Sequence, residues 1–265
     1  MKIVVCIKQV PDTTNVKINP ETNTLIREGV DSIMNPFDVY AVEEAVRLRE
    51  RIGGNAKVIA LTMGPKQAEA VLRDAISVGV DEGILLSDRA FAGADTWATS
   101  YALSQAIKTI GDVSIILFGK QASDGDTAQV GPGVATHLDL PQITYVRKID
   151  EISAHSITAE RMLEEGNETI LSSLPCVITV VKEINEPRLP SLKGRMNAKR
   201  AQISVLTAAN INCDTEKCGL NGSPTKVVRI FNPPRRGNGE IFTGEPKEMV
   251  DALVEKITPI VLGVG

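Results

Sequence analysis

Histidine, cysteine and aromatic residues are scarce in this sequence. Its 265 residues include two histidines, four cysteines, one tryptophan, three tyrosines and five phenylalanines. A histidine-based acid–base enzyme would have to work through His137 or His155. Zinc needs clustered Cys and His at ligand spacing. Cys6, Cys176, Cys213 and Cys218 are scattered, and the closest pair is separated by four intervening residues, so no redox CxxC exists. A stacking platform for single-stranded nucleic acid needs aromatics among basic residues. Aromatics are 3% here, and Lys+Arg (29) fall below Asp+Glu (33), for a net charge of −4. Nucleic acid is therefore not an expected partner. No apolar run approaches the ~20 residues of a membrane span, and the opening Met-Lys-Ile-Val-Val-Cys-Ile-Lys is too soon interrupted for a signal peptide. The expectation is a cytoplasmic chain with reduced thiols and no membrane partner.

What is present is organised in two unlike parts. Up to about residue 140, short apolar runs alternate with helical patterns. Ile3–Ile7, Lys57–Met63, Gly83–Leu86 and Ser114–Phe118 read as strands. Phe37–Ile52 repeats apolar residues at helical spacing and stops at Gly53-Gly54, as a left-handed cap would. A second helix follows Gly64-Pro65, with Pro at the first helical position, and ends at Gly79. Asp95 or Thr96 caps a third, reaching Ile110, and another begins near Thr127. This alternation predicts an α/β fold with a parallel, doubly wound sheet. Ligands in such sheets sit beyond the carboxyl ends of the strands. The richest of those ends is Gly-Lys-Gln-Ala-Ser-Asp-Gly-Asp-Thr-Ala-Gln, Gly119 to Gln129. It leaves a strand and enters a helix, whose N-terminal N–H groups attract phosphate. It is neither a P-loop nor a GxGxxG fingerprint. Two readings stay open: a phosphate loop, or a solvated connection in which Asp124 and Asp126 cap a helix. Two carboxylates beside a phosphate would repel it unless they point away or bind other groups.

From Ile143 the pattern changes. Ile143–Ile152, Ser156–Leu163, Glu168–Leu171 and Cys176–Val181 read as short strands, with a turn at Glu165-Gly166-Asn167. Antiparallel strands extending the sheet are expected. Asn185-Glu186-Pro187-Arg188-Leu189-Pro190 ends the regularity, and the basic run Lys193–Arg200 reads first as a solvated face. Residues 207–245 are rich in Pro, Gly and polar residues and too poor in apolar ones for a core of their own. A helix near Lys247–Ile257 follows. The expected organisation is a domain over residues 1–185 and an irregular C-terminal arm over 186–265 that packs on another subunit.

The segment Ala159-Glu160-Arg161-Met162-Leu163-Glu164-Glu165-Gly166-Asn167-Glu168-Thr169-Ile170, followed by Pro175-Cys176-Val177-Ile178-Thr179, resembles the signature of the electron transfer flavoprotein small (beta) subunit. Val4–Asp12, Met34–Phe37, Ala41–Leu48, Gly119–Ala122 and Asn185–Arg188 agree with it in order. The resemblance implies an adenine nucleotide alpha hydrolase-like sheet and a large (alpha) subunit as partner. It places an adenine nucleotide against Cys6, Asn35, Pro36, Phe37, Asp38 and Met63. The loop Gly119, Lys120, Gln121, Ala122, Ser123, Asp124, Gly125, Asp126, Thr127, Ala128, Gln129 and Val130 completes that set.

Two branches of the family differ in that loop. Members that bind AMP resemble Asp-Asp-Asp-x-Asn-Gln-Thr. This chain is similar to the electron-bifurcating members, which hold FAD, and Gly125 and Ala128 leave room for a diphosphate. Asp95, Thr96 and Thr99, at the start of a helix, are expected on that diphosphate; the alternative is that Asp95 and Thr96 only cap the helix. The resemblance then implies hydride transfer from NADH to FAD. One electron goes to ferredoxin or flavodoxin, and the other through the large subunit to a flavin-dependent dehydrogenase of acyl-CoA or 2-hydroxy acid type. The alternative is a non-bifurcating small subunit holding structural AMP. Pro190–Arg195 resembles the recognition loop, with Leu192 and Arg195 at the partner; a Leu192 tucked into its own domain is the competing reading. No side chain is expected to act as an acid or base, because a flavin carries the chemistry. A third reading, a nucleotide-hydrolysing or adenylating enzyme on a similar fold, would need an SGGxDS-type loop, which is absent.

Overall fold

The computed structural model describes residues 1–12, 32–54, 56–228 and 239–263. In chain order the strands and helices are β1 (Lys2–Cys6), β2 (Gln9–Pro11), β3 (Ser32–Met34), α1 (Pro36–Ile52), β4 (Lys57–Met63), α2 (Glu69–Val78), β5 (Glu82–Leu86), α3 (Thr96–Ile110), β6 (Val113–Gly119), α4 (Val130–Leu138), β7 (Gln142–Ile152), β8 (Ser156–Leu163), β9 (Gly166–Ser173), β10 (Cys176–Val180), α5 (Leu192–Arg200), β11 (Ser204–Leu206) and α6 (Pro246–Val261). All strands except β2 and β3 form one sheet, in the order β11-β5-β4-β1-β6-β10-β7-β8-β9. β2 and β3 make a separate antiparallel pair.

Period-2 alternation decides which residues face which layer. On β1, Ile3 and Val5 enter a core shared with α1 and α2, through Val42, Leu48 and Leu72. Val4 and Cys6 enter the opposite core with α3 and α4, through Leu103 and Val134. Both faces of the central strands are covered, so they read as continuous apolar runs. Each fully buried Ile, Leu or Val contributes about 1.5–3 kcal/mol.

Helix ends follow the expected punctuation in most places. Gly53 and Gly79 stop α1 and α2 at φ 66° and 126°. Asp95 caps α3 by accepting from Trp97 N–H and Ala98 N–H. Pro65 departs from expectation. It is extended and precedes a 3-10 turn at Lys66–Ala68, so α2 proper starts at Glu69. α4 starts at Val130, three residues after the expected Thr127, because Asp126 and Ala128 take left-handed φ of 54°.

The strand expectation needs one correction. β7, β8 and β9 are antiparallel neighbours, but β10 returns between β6 and β7 and runs parallel to both. Its five residues are all buried, which suits a central strand covered on both faces.

The expected boundary at 185 falls inside the first compact unit, which runs Met1–Val228. Residues 186–228 are not a free arm. β11 pairs with β5 as a parallel edge strand. Ala208, Ile211 and Cys218 are buried in the second core with Phe91 and Leu103. The segment lacks a core of its own and completes an existing one. Cys213 and Cys218 are brought side by side, with their Cα atoms 7.4 Å apart. The second unit, Arg229–Gly265, contains α6, which has no buried residue within that unit. Val250, Leu253, Val254 and Ile257 are exposed on α6 at helical spacing. The stretch Pro233–Asn238 lies outside the described residues. No described helix is long and apolar enough to cross a membrane.

Candidate functional site

The strand order reverses between β1 and β6. From β1 the chain builds outward through β4 and β5, then α3 crosses back to place β6 on the other side of β1. A crevice opens at the carboxyl ends of two such strands, where their following segments diverge. The residues flanking it are Lys8, the start of α1, and the loop after Gly119.

These flanks are tied together. Asn35 is 1% exposed. Its Nδ2 donates to Gln121 carbonyl at 2.8 Å, and its Oδ1 accepts from Ser123 N–H at 3.0 Å. One amide side chain therefore holds the loop at two points, residues 121 and 123. Pro36 sits in the first turn of α1, where its missing N–H costs nothing. The α1 first turn also presses against Gly119, where a Cβ would overlap Asp38 Oδ1 and Phe37 carbonyl carbon. Glycine is required there by close approach alone.

Asp38 is buried beside Gly119 and accepts from Lys8 N–H at 2.7 Å. Burial raises its carboxyl pKa to about 7, against the opposing pull of Asn35 and the Lys8 and Gly119 backbone. The Cys6 thiol is pushed up by burial and then by the Asp38 charge. Cys6 is packed in the second core, and Met63, at the end of β4, is half-buried against it. Both belong to the packed carboxyl ends of their strands.

The loop from Lys120 to Gln129 forms the other wall. Ser123, Asp124, Gly125, Asp126, Thr127 and Gln129 are exposed, while Lys120, Gln121, Ala122 and Ala128 are half-buried. Ala128 has left-handed φ, and Gln129 after it is right-handed at φ −103°, ψ −20°. Such alternation turns successive N–H groups into an anion-binding concavity, and here it leads into the N-terminus of α4 at Val130. No side chain caps that terminus, so its N–H groups stay available. Neither loop carboxylate caps α4. Asp124 pairs with Lys8 across the crevice at 2.6 Å, and Asp126 accepts from Gln121 Nε2. Lys120 turns its ammonium over the Tyr145 ring, 5.3 Å from the centroid.

At the start of α3 Asp95 is the cap that the sequence offered as one of its two readings. The Asp95 carboxylate receives four donors: Trp97 N–H, Ala98 N–H, and Thr225 N–H and hydroxyl. Asp95 N–H in turn donates to Ser223 Oγ at 2.8 Å. Asp95 is thus a cap and an anchor for Ser223 and Thr225. The hydroxyls of Thr96 and Thr99 on the same turn have no hydrogen-bond partner among the described residues. α3 meets α4 where Ser100 Oγ donates to Val130 carbonyl at 3.2 Å. Ser223 and Thr225 were absent from the sequence-based site. The compact turn chemistry of Gly222-Ser223-Pro224-Thr225 was the available signal.

Leu192 and Arg195 sit far along the chain, on α5. Leu192 is 78% exposed, so the reading that tucks it into its own domain does not hold. Leu189, 90% exposed, stands beside it. The basic run is one exposed helix capped by Ser191, which accepts from Gly194 N–H. Its approach segment is bolted to α1. Arg188 donates to Glu43 and Glu50, and Asn185 donates to Tyr40 carbonyl and Glu44. The Arg188 guanidinium holds Glu43 below the usual carboxylate range, against its burial. His137, one of two candidate acid–base groups, packs against Trp97 and Tyr101 instead, with ring centroids 4.4 and 5.6 Å away.

Comparison with known proteins agrees with this architecture. The family model described as "Electron transfer flavoprotein domain" matches residues 22–211. The chain is 54% identical to "Electron transfer flavoprotein subunit beta" of Thermoanaerobacterium thermosaccharolyticum over 258 residues, 97% of this chain and 98% of that one. It is 48% identical to "Caffeyl-CoA reductase-Etf complex subunit CarD" of Acetobacterium woodii, again covering 97% and 98%. It is 47% identical to "Protein FixA" of Sinorhizobium fredii, covering 98% and 93%. A mainly parallel α/β sheet, the matched domain and identity along nearly the whole length of these relatives lead to one conclusion: the chain belongs to the electron transfer flavoprotein family, among its beta subunits.

Proposed function

We propose that this chain is the beta subunit of an electron-bifurcating electron transfer flavoprotein, and that its switch-point crevice holds FAD. The observation that carries the reading is the Ala128–Gln129 concavity opening into the uncapped N-terminus of α4. It offers several N–H donors to a phosphate with no side chain in the way. Gly125 has nothing within 4 Å of where a Cβ would stand, so the loop is open on the side a larger nucleotide would need. The adenine end would lie by Cys6, Asn35–Asp38 and Met63, and the diphosphate would extend from Gly119–Val130 toward Thr96 and Thr99. Asp95 supports that end as cap and anchor.

When bound, the flavin supplies hydride acceptance from NADH and single-electron release. The chain's own groups bind and orient. Asn35 keeps the loop in register, Asp38 closes the floor, and α4 faces the phosphate charge. The partners in this reading are an alpha subunit, ferredoxin or flavodoxin, and a flavin-dependent dehydrogenase. One relative's name places it in a caffeyl-CoA reductase-Etf complex, which favours an acyl-CoA type of partner here. Leu189, Leu192 and Arg195 form the docking surface for that enzyme, since exposed apolar anchors among basic residues mark such sites. The exposed apolar stripe of α6 faces the alpha subunit. A cytoplasmic location goes with this reading.

The test is a cofactor count on the purified heterodimer, followed by anaerobic NADH. Two FAD per dimer and NADH-driven bleaching are expected. One FAD plus one AMP, with no response to NADH, would replace this reading with that of a non-bifurcating subunit holding structural AMP.

A further inference from the structure

Asp124 sits in the loop that is read here as the phosphate wall, and a bare carboxylate there would repel a phosphate. Lys8 Nζ meets its Oδ1 at 2.6 Å. The lysine belongs to the opposite flank of the crevice. Its N–H donates to Asp38 and its carbonyl accepts from Asn35 N–H at 2.9 Å. The backbone of Lys8 is therefore fixed, and only its side chain spans the mouth. Both ends are partly open to solvent, with side-chain exposures of 48% and 21%. Ion pairs so placed contribute little to stability, so holding the fold together does not account for the pair. The other loop residues leave the task to Lys8: Lys120 is turned to Tyr145, and Asp126 is met by the neutral Gln121.

Resting on the nucleotide reading of the crevice, we propose that Lys8 is a phosphate-binding residue whose ammonium is shared between Asp124 and the 5′-phosphate of the bound adenine nucleotide. An ammonium has three donors, so it can serve both oxygens at once. Asp124 fixes where the cation stands, and Lys8 cancels the charge that would otherwise exclude the ligand. Two consequences follow from the chemistry. Lys8 matters for nucleotides and little for nucleosides. Its loss is also partly repaired by removing the Asp124 charge.

The experiment titrates AMP, FAD and adenosine into the nucleotide-free full chain, held with its alpha subunit. It compares the native protein with Lys8→Met, Lys8→Arg, Asp124→Asn and the Lys8→Met/Asp124→Asn pair. For Lys8→Met, AMP and FAD affinity should fall about tenfold or more, the scale of one lost charge contact. Adenosine should change less than about twofold, a contact without charge being the smaller one. Lys8→Arg should keep most of the affinity, and the double variant should recover a large part of the loss. Melting of the unliganded variants should be nearly unchanged, since the side chain is at the surface. If AMP and adenosine weaken equally, or AMP is unaffected by Lys8→Met, the inference is wrong while the nucleotide reading stands. If the native protein binds none of the three ligands, both fall together.

Discussion

Replacing Asn35 with alanine is the sharpest perturbation of the crevice. The side chain is buried; it also reaches the Asp38 carboxyl, but both of its hydrogen bonds to backbone go to the loop, so most of its effect should come from the loop it holds. Two hydrogen bonds disappear, to Gln121 carbonyl and from Ser123 N–H. Each contributes about 1 kcal/mol net. Ser123 is exposed and can turn to water, while Gln121 is half-buried and recovers less. A lost partner there adds up to about 1 kcal/mol, so the loop is loosened by roughly 2–3 kcal/mol. The remaining ties, Lys120 N–H to Val180 carbonyl and Lys8 to Asp124, keep it attached at both ends. If nucleotide binds only the ordered loop, its apparent Kd rises as the ordered fraction falls. The expected weakening is therefore about 10- to 100-fold. Calorimetric titration of AMP or FAD into the nucleotide-free protein measures it. Asn35→Asp keeps the acceptor for Ser123 but loses the donor to Gln121 and adds a charge, so it should bind no better than Asn35→Ala. A Kd within about twofold of the native value in a folded Asn35→Ala protein would refute the idea that this stitch organises the site.

Other expectations come from single contacts. Asp38 titrates near pH 7 when folded and near 4 when unfolded, so the folded state holds the proton more tightly. Its contribution to stability is full below about pH 4, declines as pH rises to 7, and is level above that. Asp38→Asn should remove this decline from a melting-versus-pH curve; an unchanged profile would show that the carboxyl is not what burial makes it. Gly119→Ala must displace α1 or the loop, because the new methyl would overlap Asp38. A loss of about 1–3 kcal/mol with sharply weaker nucleotide binding is expected, and native-like binding would contradict the close approach. Arg188→Met leaves the buried Glu43 to Arg47 alone. Because Arg188 is about a third exposed, a drop in melting temperature of a few degrees is expected, about 1–2 kcal/mol at this size. Leu192→Asp should leave melting unchanged and raise KM for the partner dehydrogenase while sparing NADH-driven flavin reduction. Equal loss of both activities would place Leu192 outside a docking role.

Composition and local pattern were enough for the four parallel strands β1, β4, β5 and β6 and the helices between them, because apolar runs, capping Asp95 and stop glycines act within a few residues. They also marked the Gly119–Val130 loop as the richest strand end. The resemblance carried by residues 159–179 then supplied the family, and with it the expectation of a nucleotide. Long-range packing decided the rest. No local signal tells that β10 enters between β6 and β7 in parallel, since its buried run would suit either orientation. The polar 186–228 segment looked like an arm because it has no core of its own. Only the fold shows it closing the core of the first unit and clamping Asp95 through Ser223 and Thr225. The electrostatics of the loop were likewise invisible along the chain. Lys8 and Asp124 are 116 residues apart, and a charge 2.6 Å away decides whether a carboxylate repels a phosphate or helps to receive it. Sequence determined what each segment prefers to be; tertiary structure decided which segments meet, because burial and charge depend on neighbours that the chain brings from afar.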